Sequence, residues 1–195
     1  MTACLEHLDE RGGTATPTRF EPLDWGDVVT VLEVFDQLSP RSREQRFLTA
    51  KPRLTGADLR ALTDVDDHDH VALVARDGGG HAIGIARFVR DSDEPGIAEA
   101  AVAVVDAWQG RGLGTRLARA LSERARELGI TRISLVMAHD NDAAARLMHR
   151  VGGEVTRVGW DSGSMDFEIA LDARPGPRRR PGQRRTLSVL KGART

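Results

Sequence analysis

Hydrophobic and polar residues follow two different periods along this chain, and these periods predict the order of its helices and strands. Apolar residues recur every three to four positions over 28–38, as in an amphipathic helix, and Asp24 stands where its N-cap is expected. Three shorter runs, 70–77, 82–90 and 98–106, are typical of strands. The third is apolar on both faces, which favours a central position in a sheet. The apolar positions of the first helix are Val28, Val29, Leu32, Phe35 and Leu38.

Shorter elements lie before and between these runs. Residues 18–23 predict a short edge strand. Two short helices are predicted over 38–47, where Ser39 is the cap and a proline follows it, and over 54–63. The sequence GGGH at 78–81 is typical of a hairpin connection between two strands.

The second half of the chain predicts a crossover between two strands. A helical repeat of Leu and Ala covers 113–128, and 132–138 predicts the next strand. About 25 residues and a helix connect this strand to the one before it, so the two are expected to be parallel. A capped helix over 141–153 and an antiparallel pair over 153–160 and 164–171 complete the pattern. We predict an α/β fold, a mostly antiparallel mixed sheet with a central parallel β-α-β crossover, flanked by helices.

The 195 residues predict one domain with an extension at each end. The hydrophobic fraction of 40% and the charged fraction of 29% are typical of a globular protein. Residues 1–17 have no sustained periodicity and are predicted to be disordered, the domain covers 18–172, and 173–195 form a flexible tail. The tail contains eight Lys or Arg residues and no acid, while the whole chain has a net charge of −1. The domain itself is therefore acidic.

Composition also limits the cellular context and the partners. Cys4 is the only cysteine, which excludes an internal disulfide and a cysteine-based zinc site. No apolar run is long enough to span a bilayer and no secretory signal is evident, so we expect a cytoplasmic protein with no membrane partner. We expect it to be a monomer or a homodimer. The basic tail lacks aromatic residues, so we expect no nucleic-acid partner beyond non-specific contacts of the tail. The alternatives are that the tail docks on the acidic domain or that it has no partner.

The stretch DAWQGRGLGTRLARAL, residues 106–121, places three glycines where a helix must begin. Glycine in a helix interior costs roughly 0.5–1 kcal/mol relative to alanine, so the glycines indicate a positive φ or a close backbone approach to a ligand. A strand, a glycine turn and a helix form an anion site, because the first helical amides lack partners and the helix dipole favours negative charge. The stretch lacks the Lys of a P-loop, and Thr115 replaces a glycine of the dinucleotide fingerprint. The turn therefore predicts a phosphate-bearing ligand that is neither the nucleotide of a P-loop nor a dinucleotide.

Two motifs then point to one family. QGRGLG, residues 109–114, matches Q/R-x-x-G-x-G/A, the acetyl-CoA motif of the GNAT superfamily of N-acetyltransferases. NDAAARLMHRVGG, residues 141–153, resembles the N-x-x-A-x-x-L-Y-x-x-x-G-F segment of the same superfamily, and the resemblance in element order covers 18–171. Four segments, LSPRSREQRF, LTDVDDHDHVALVA, AIGIARFVR and AEAAVAVVDAWQGRGLG, are similar to the GNAT domain of bacterial protein-lysine acetyltransferases.

The resemblance implies an enzyme that transfers an acetyl group from acetyl-CoA to a primary amine by direct attack. It implies that the amides of 109–115 hold the cofactor pyrophosphate and that the backbone of 102–104 pairs with the pantetheine arm. An amide of that strand would polarise the thioester carbonyl. The cofactor-binding residues implied are Val102, Val104, Gln109, Gly110, Arg111, Gly112, Leu113, Gly114, Thr115 and Asn141.

Glu99 is the predicted general base. It lies near the start of the third strand, ten residues before Gln109, with an apolar run after it, and burial there would raise its pKa. The similarity to protein-lysine acetyltransferases implies the same role, because the glutamate of their equivalent A-E-x-A strand is taken as the base. From the pattern alone, a solvated carboxylate at the strand entry is the alternative.

Met148 departs from the superfamily pattern. Many members have a tyrosine there that protonates the leaving thiolate, and this chain contains no tyrosine. Because a thiol is acidic, the coenzyme A thiolate can leave unassisted or take a proton from water. His149 is expected to point elsewhere on the helix. The departure leaves a non-catalytic acyl-CoA-binding module as an alternative to an enzyme. Within the enzyme class, a protein lysine is the favoured acceptor, and a small-molecule amine or amino acid is the alternative.

The segment DVDDHDH, residues 64–70, combines four aspartates with two histidines. Its spacing fits no specific metal site, so we predict a solvated turn and no metal. His68 or His70 lining the acceptor pocket is the alternative. His139 and Asp140 follow the fourth main strand, where Asp140 is either a helix cap or a substrate contact.

Overall fold

A computed structural model of the chain describes residues 18–151, 153–161 and 163–171. The predictions for 1–17 and 173–195, and Cys4 with them, lie outside the described residues. The elements follow the order predicted from the sequence. The strands are β1 Arg19–Pro22, β2 His70–Arg76, β3 Ala82–Arg90, β4 Ile97–Val104, β5 Arg132–Ala138, β6 Val155–Asp161 and β7 Ser164–Ala170. The α-helices are α1 Val28–Asp36, α2 Pro40–Phe47, α3 Gly56–Thr63, α4 Leu113–Glu127 and α5 Asp142–Val151.

The seven strands form one sheet in the order β1-β2-β3-β4-β5-β7-β6. Neighbouring strands are antiparallel, except that β4 and β5 are parallel. Helix α4 lies between those two strands in the chain and forms the crossover. The predicted α/β fold, a mostly antiparallel mixed sheet with a central parallel crossover, is confirmed.

Helix α4 covers one face of the sheet, which we call the α4 face. Gly84 of β3 lies so close to this helix that an added Cβ would be 3.0 Å from Leu117 Cδ1. Alternate residues of a strand share a face, so Ala86 and Phe88 lie on this side too. Both are completely buried, as is Ala98 of β4. The face is a conventional apolar core.

The first three helices cover the opposite face, which we call the α2 face. Side chains of α1, α2 and α3 close a cavity there against Ile85 and Arg87 of β3 and Ala103 of β4. By the same alternation, Glu99 of β4 lies on this face. Helix α2 packs against both β4 and β5. The α2 face therefore carries ionisable side chains beside the two strands that the crossover joins.

The first helix begins at Val28, three residues after the start that a cap at Asp24 would give. Gly26 turns the chain with a φ of +74°, and Asp27, not Asp24, is the N-cap. The Oδ1 atom of Asp27 accepts the Thr30 N–H at 3.0 Å. The prediction for Asp24 was wrong because a second aspartate follows the glycine turn and lies one residue before the helical backbone.

Two of the predicted apolar positions, Phe35 and Leu38, are buried, but the core side of the first helix also differs from the predicted stripe. Val29 is 77% exposed, while Val31, Val34 and Phe35 are buried. Val29 precedes Val31 by two positions, which places it about 200° around the helix from the core side. Within the described ranges, no helix is both long enough and apolar enough to cross a membrane.

Candidate active site

The glycine turn connects the end of β4 to the start of α4. A short 3-10 turn, Asp106–Trp108, which the sequence did not predict, follows the strand. Gly110 and Gly112 have φ values of +74° and +79°, and a Cβ on either would meet nothing within 4 Å. Only glycine adopts such a backbone readily. The two glycines therefore allow a sharp turn of a backbone that faces open space, and tight packing does not require them.

The start of α4 has no side-chain cap. Its N-cap is Gly112, and Arg116 N–H bonds to Gly112 O at 3.1 Å. The amides of 113–115 thus lie at the positive end of the helix without a partner inside it. Each other described α-helix has a side-chain acceptor at its start, from Asp27, Ser39, Thr55 or Asn141. The α4 start can hold an anion such as a pyrophosphate.

The side chains around the turn differ in exposure. Leu113 is only 2% exposed, so it can offer a ligand its backbone alone. Arg111 is exposed, and its guanidinium carbon lies 5.3 Å from the centre of the Trp108 ring. Gly114 is half-buried, and its added Cβ would lie 3.6 Å from Val104 Cγ2. Arg111 thus places a positive charge beside the amides of the turn.

Strands β4 and β5 part beside this turn. In the described residues, their parallel pairing comprises three residue pairs and ends at Glu99 and Ser134. Beyond that point β4 continues to pair with β3 as far as Val104. Val102 and Val104 lie on this stretch and are half-buried. An extended ligand could therefore pair with the β5 side of β4 in the opening between the strands.

Glu99 lies at the closed end of this opening, on the α2 face. It stands opposite Val89 on one side and Ser134 on the other. The residue is only 7% exposed, which does not agree with a solvated carboxylate at the strand entry. A buried carboxylate where two strands part can meet a ligand that enters between them.

Two arginines share the α2 face with Glu99. Arg46 of α2 and Arg87 of β3 line the same cavity. Burial lowers the pKa of Arg46 to about 10, and the negative charge of Glu99 opposes that effect. Burial also lowers the pKa of Arg87 to about 9, with the positive charge of Arg46 adding to it. Both remain cations at neutral pH. The surroundings of Glu99 therefore carry charge, whereas the apolar run after Glu99 in the sequence suggested apolar surroundings alone.

Sequence reasoning missed both arginines. Arg46 belongs to a polar helix, where a cation is unremarkable in the pattern. Arg87 had a detectable signal, because it is the one charged residue among the first eight of β3, and it is 2% exposed. A lone charge inside an otherwise apolar strand indicates a buried ionic or hydrogen-bonded site. The cavity that the two side chains line measures about 30 Å³.

His70 contacts Arg87 through its second ring nitrogen. Its Nδ1–H donates to Asp64 O at 2.7 Å, and its Nε2 accepts from Arg87 Nη1 at 3.4 Å. Burial, together with the positive charge of Arg87, lowers the pKa of His70, so the ring is neutral. Arg87 also donates to Leu62 O at 2.7 Å. His70 thus supports Arg87, and neither His70 nor His68 lines the cavity.

The acidic segment 64–70 forms a turn closed by Asp66. The Oδ1 atom of Asp66 accepts the backbone N–H groups of His68, Asp69 and His70 at 2.8–2.9 Å. Burial acts to raise the pKa of Asp66, but these bonds outweigh it and the pKa is lowered. Among the described residues, no three His, Cys, Asp or Glu side chains come together as metal ligands would.

The start of α5 forms the far side of the opening. Asn141 Oδ1 accepts the Ala144 N–H at 3.0 Å, so Asn141 is the helix cap and Asp140 is not. Asp140 instead faces α2, where its Oδ2 lies 3.7 Å from Arg41 Nη2. Asn141 lies three residues beyond the end of β5, and its carboxamide oxygen accepts the hydrogen bond of the cap.

Met148 lies in the second, smaller apolar cluster of the domain. It is 5% exposed and packs with Met137 of β5 and Ile169 of β7. His149, the next residue, is exposed. Met148 offers no proton, which leaves release of a thiolate to other groups or to water.

The sequence of the domain matches a known protein family. The Acetyltransferase (GNAT) family matches residues 32–153, which extend from α1 through β4, the glycine turn and α4 to the end of α5. The matched region is more than half of the chain, and it contains every site residue predicted from the sequence.

Two bacterial relatives are similar over most of the domain. Acetyltransferase Pat of Mycolicibacterium smegmatis is 36% identical over 128 residues, which are 65% of this chain and 38% of the relative. Acetyltransferase PA5475 of Pseudomonas aeruginosa is 33% identical over 142 residues, 71% of this chain and 76% of the relative. The chain thus spans well under half the length of the first relative.

Solved structures share the fold. The GNAT domain of S. lividans PAT superposes with a TM-score of 0.72 at 28% identity, covering 79% of this chain and 90% of that one. The cAMP-binding acyltransferase from Mycobacterium smegmatis gives 0.56 at 30% identity, covering 82% and 45%. The structure of yncA from Salmonella typhimurium with acetyl-CoA gives 0.64 at 22% identity, covering 83% and 98%, and shows likeness of fold alone.

Proposed function

This chain belongs to the GNAT family of acetyltransferases, which use acetyl-CoA as the donor, and from that premise we propose that it acetylates a protein lysine with Glu99 as general base. The observation that carries the proposal is the position of Glu99. The carboxylate is buried at the point where β4 and β5 part, on the face that α2 covers. A cytoplasmic location is part of the same proposal.

The donor side of the site fits the cofactor. Acetyl-CoA supplies an acetyl group activated as a thioester. The uncapped amides of 113–115, with Gly110 and Gly112 turned into open space, would hold its pyrophosphate. Arg111 would add a positive charge beside the phosphates. Val102 and Val104 lie on the stretch of β4 whose β5 side can pair with the pantetheine arm.

Glu99 supplies the base that amine attack requires. A protonated amine is no nucleophile, so a group at the site must accept its proton, directly or through a water molecule. Arg46 and Arg87 bring two positive charges to the same face. An ammonium group that approaches these cations loses its proton more readily, because like charges disfavour the charged form. Glu99 accepts that proton at a carboxylate oxygen.

A protein lysine is the acceptor that the sequence resemblance supports best. The four segments similar to protein-lysine acetyltransferases lie on α2, α3, β2, β3, β4 and the glycine turn. These elements form the α2 face and the opening beside it. Small-molecule amines and amino acids are the competing acceptors within the same reaction class.

Glu99→Gln is the direct test. General-base catalysis contributes roughly 100-fold or more, so turnover of acetyl-CoA, measured as thiol release with a panel of lysine peptides and small amines, should fall by that factor. Affinity for acetyl-CoA, measured by calorimetry, should not change. Glu123→Gln, an exposed residue on α4, is the matched control and should behave as wild type. An unaltered rate and pH profile in the Glu99 variant would remove Glu99 as the base.

Burial of Met148 favours a second candidate, an acyl-CoA-binding module without turnover. The side chain packs among apolar residues at the position where many members of the family have a tyrosine. Under this alternative, acetyl-CoA binds the protein but no amine of the panel releases thiol. Thiol release with any acceptor of the panel excludes it.

A further inference from the structure

We propose that Asp106, Gln109 and Ser42 form a positioning cluster that couples acetyl-CoA binding at the glycine turn to the placement of α2. The proposal rests on the proposed cofactor site and goes beyond it. Gln109 is already implied in cofactor binding through its backbone amide, and the new role belongs to its side chain and to those of Asp106 and Ser42. Through α2, which carries Arg46, the cluster would align the α2 face when the donor binds.

Gln109 connects three separate parts of the site with one nitrogen. Its Nε2 lies 3.0 Å from Val104 O at the end of β4, 3.3 Å from Asp106 Oδ1 and 3.3 Å from Ser42 Oγ on α2. An amide nitrogen has two hydrogens for these three acceptors. The bonds to β4 and to α2 therefore compete, and a small movement of the turn changes their balance.

Asp106 contacts the first turn of α2 from the other side of the cluster. Its Oδ1 accepts the Ser39 N–H at 3.3 Å. Ser39 is the N-cap of α2, and its Oγ accepts the Ser42 N–H at 3.2 Å. Burial acts to raise the pKa of Asp106, while hydrogen bonds from Ser39 and Ser42 outweigh it and lower the pKa, so the carboxylate is charged at neutral pH. The cluster thus fixes the start of α2 against the residues that precede the glycine turn.

The far end of the same helix reaches the base. Arg46 lies in the last turn of α2, and its guanidinium interacts with the charge of Glu99. Phe47, the next residue, is 5% exposed and belongs to the core. Both contacts lie on one continuous helix of eight residues. A shift at Ser42 is therefore transmitted to Arg46.

Coupling of this kind is reciprocal. If bound acetyl-CoA orders α2, then contacts that hold α2 in place must strengthen acetyl-CoA binding by the same factor. One net hydrogen bond corresponds to a change of roughly fivefold. The sequence spacing alone does not reveal this cluster, because Ser42 and Gln109 are 67 positions apart.

Hydrogen–deuterium exchange of the full chain, with and without saturating acetyl-CoA, tests the proposal. In the wild type, acetyl-CoA should slow exchange both in the glycine turn and in α2. In Ser42→Ala, protection of the turn should persist, protection of α2 should fall by roughly fivefold, and the dissociation constant of acetyl-CoA should rise by a similar factor. Ser42→Thr keeps the hydroxyl, so the protection of α2 and the dissociation constant of acetyl-CoA should both stay at their wild-type values. Glu44→Ala, an exposed residue of the same helix, is the matched control and should behave as wild type.

The outcomes separate the two proposals. Equal protection of α2 in the wild type and in Ser42→Ala overturns the coupling, as does protection of the turn without any protection of α2 in the wild type. A wild-type turn that acetyl-CoA does not protect overturns the cofactor site itself, and the coupling with it. Alanine is a stronger helix former than serine, so failure to fold is not expected for Ser42→Ala. Loss of coupling in Ser42→Thr as well would show that the hydroxyl is not the link.

Discussion

Arg87 and Phe88 are neighbours on β3 and are 2% and 0% exposed, yet they lie on opposite faces of the sheet. Phe88 faces α4 in an apolar core. Arg87 lies on the α2 face, where it donates to Leu62 O and to His70 Nε2 beside Arg46. One face of the strand stabilises the fold by burying apolar area, whereas the other holds charges whose desolvation opposes folding.

The contrast between the two faces supports a functional role for the α2 face. Buried charges persist only if they are paired or hydrogen-bonded, and perturbed ionisable groups concentrate at functional sites. The α2 face contains Arg46, Arg87 and Glu99, and the acceptor is proposed to approach this face. The difference between the faces can be tested by changing one residue at a time.

Phe88→Ala should have the largest effect on stability. Removal of a fully buried phenylalanine costs about 3–5 kcal/mol, because apolar contacts are lost and a cavity remains. Chemical denaturation measures the free energy of unfolding. Val29→Ala, at a residue 77% exposed, is the control and should change it by less than about 0.5 kcal/mol. A loss below about 1 kcal/mol at Phe88 would contradict the assignment of the α4 face as the stabilising core.

Arg87→Met should be less destabilising than Phe88→Ala and more harmful to activity. The variant leaves the Leu62 carbonyl without its donor, which costs about 1–3 kcal/mol, but it also removes the desolvation cost of a buried cation. We expect a net loss of under about 2 kcal/mol, together with a reduced rate of thiol release at a temperature where the variant is folded. Arg60→Met, at an exposed arginine of α3, should change neither quantity. Full activity in Arg87→Met would mean that the charge serves structure alone.

His70→Gln should have the smallest effect, and the change that identifies His70 is in the pH dependence of stability. Because burial and Arg87 lower the pKa of His70 below 6.5, the unfolded chain binds a proton that the folded chain does not. Stability therefore falls as the pH decreases below about 6.5, with a slope of at most about 1.4 kcal/mol per pH unit. The lowered pKa values of Asp58, Asp66 and Asp106 act only below about pH 4 and do not overlap this range.

Denaturation between pH 7.5 and 5.5 measures this slope. His70→Gln should be flatter than the wild type over that interval. His149→Gln, at an exposed histidine, should retain the wild-type slope. Equal slopes in all three proteins would mean that His70 titrates normally in the folded state.

The order of the elements follows from local patterns in the sequence, and so does the glycine turn that we propose as the donor site. Local patterns suffice there, because period, caps and glycine turns depend on neighbouring residues. The glycine turn was predicted from the spacing of its glycines, and Gly110 and Gly112 have a positive φ, one of the two alternatives that the pattern left open. Glu99 was singled out in the same way, and the structure finds it buried, while its role as base remains a prediction.

The surroundings of Glu99 depend on tertiary packing. Arg46 and Arg87 come from elements far apart in the chain, and α2 reaches the glycine turn through Ser42, 67 positions before Gln109. The same limit explains the wrong cap at Asp24, since two aspartates compete there and the turn at Gly26 selects the second. Sequence periodicity reports which face of an element is buried. It does not report which other element supplies the charges on that face, because that depends on long-range packing.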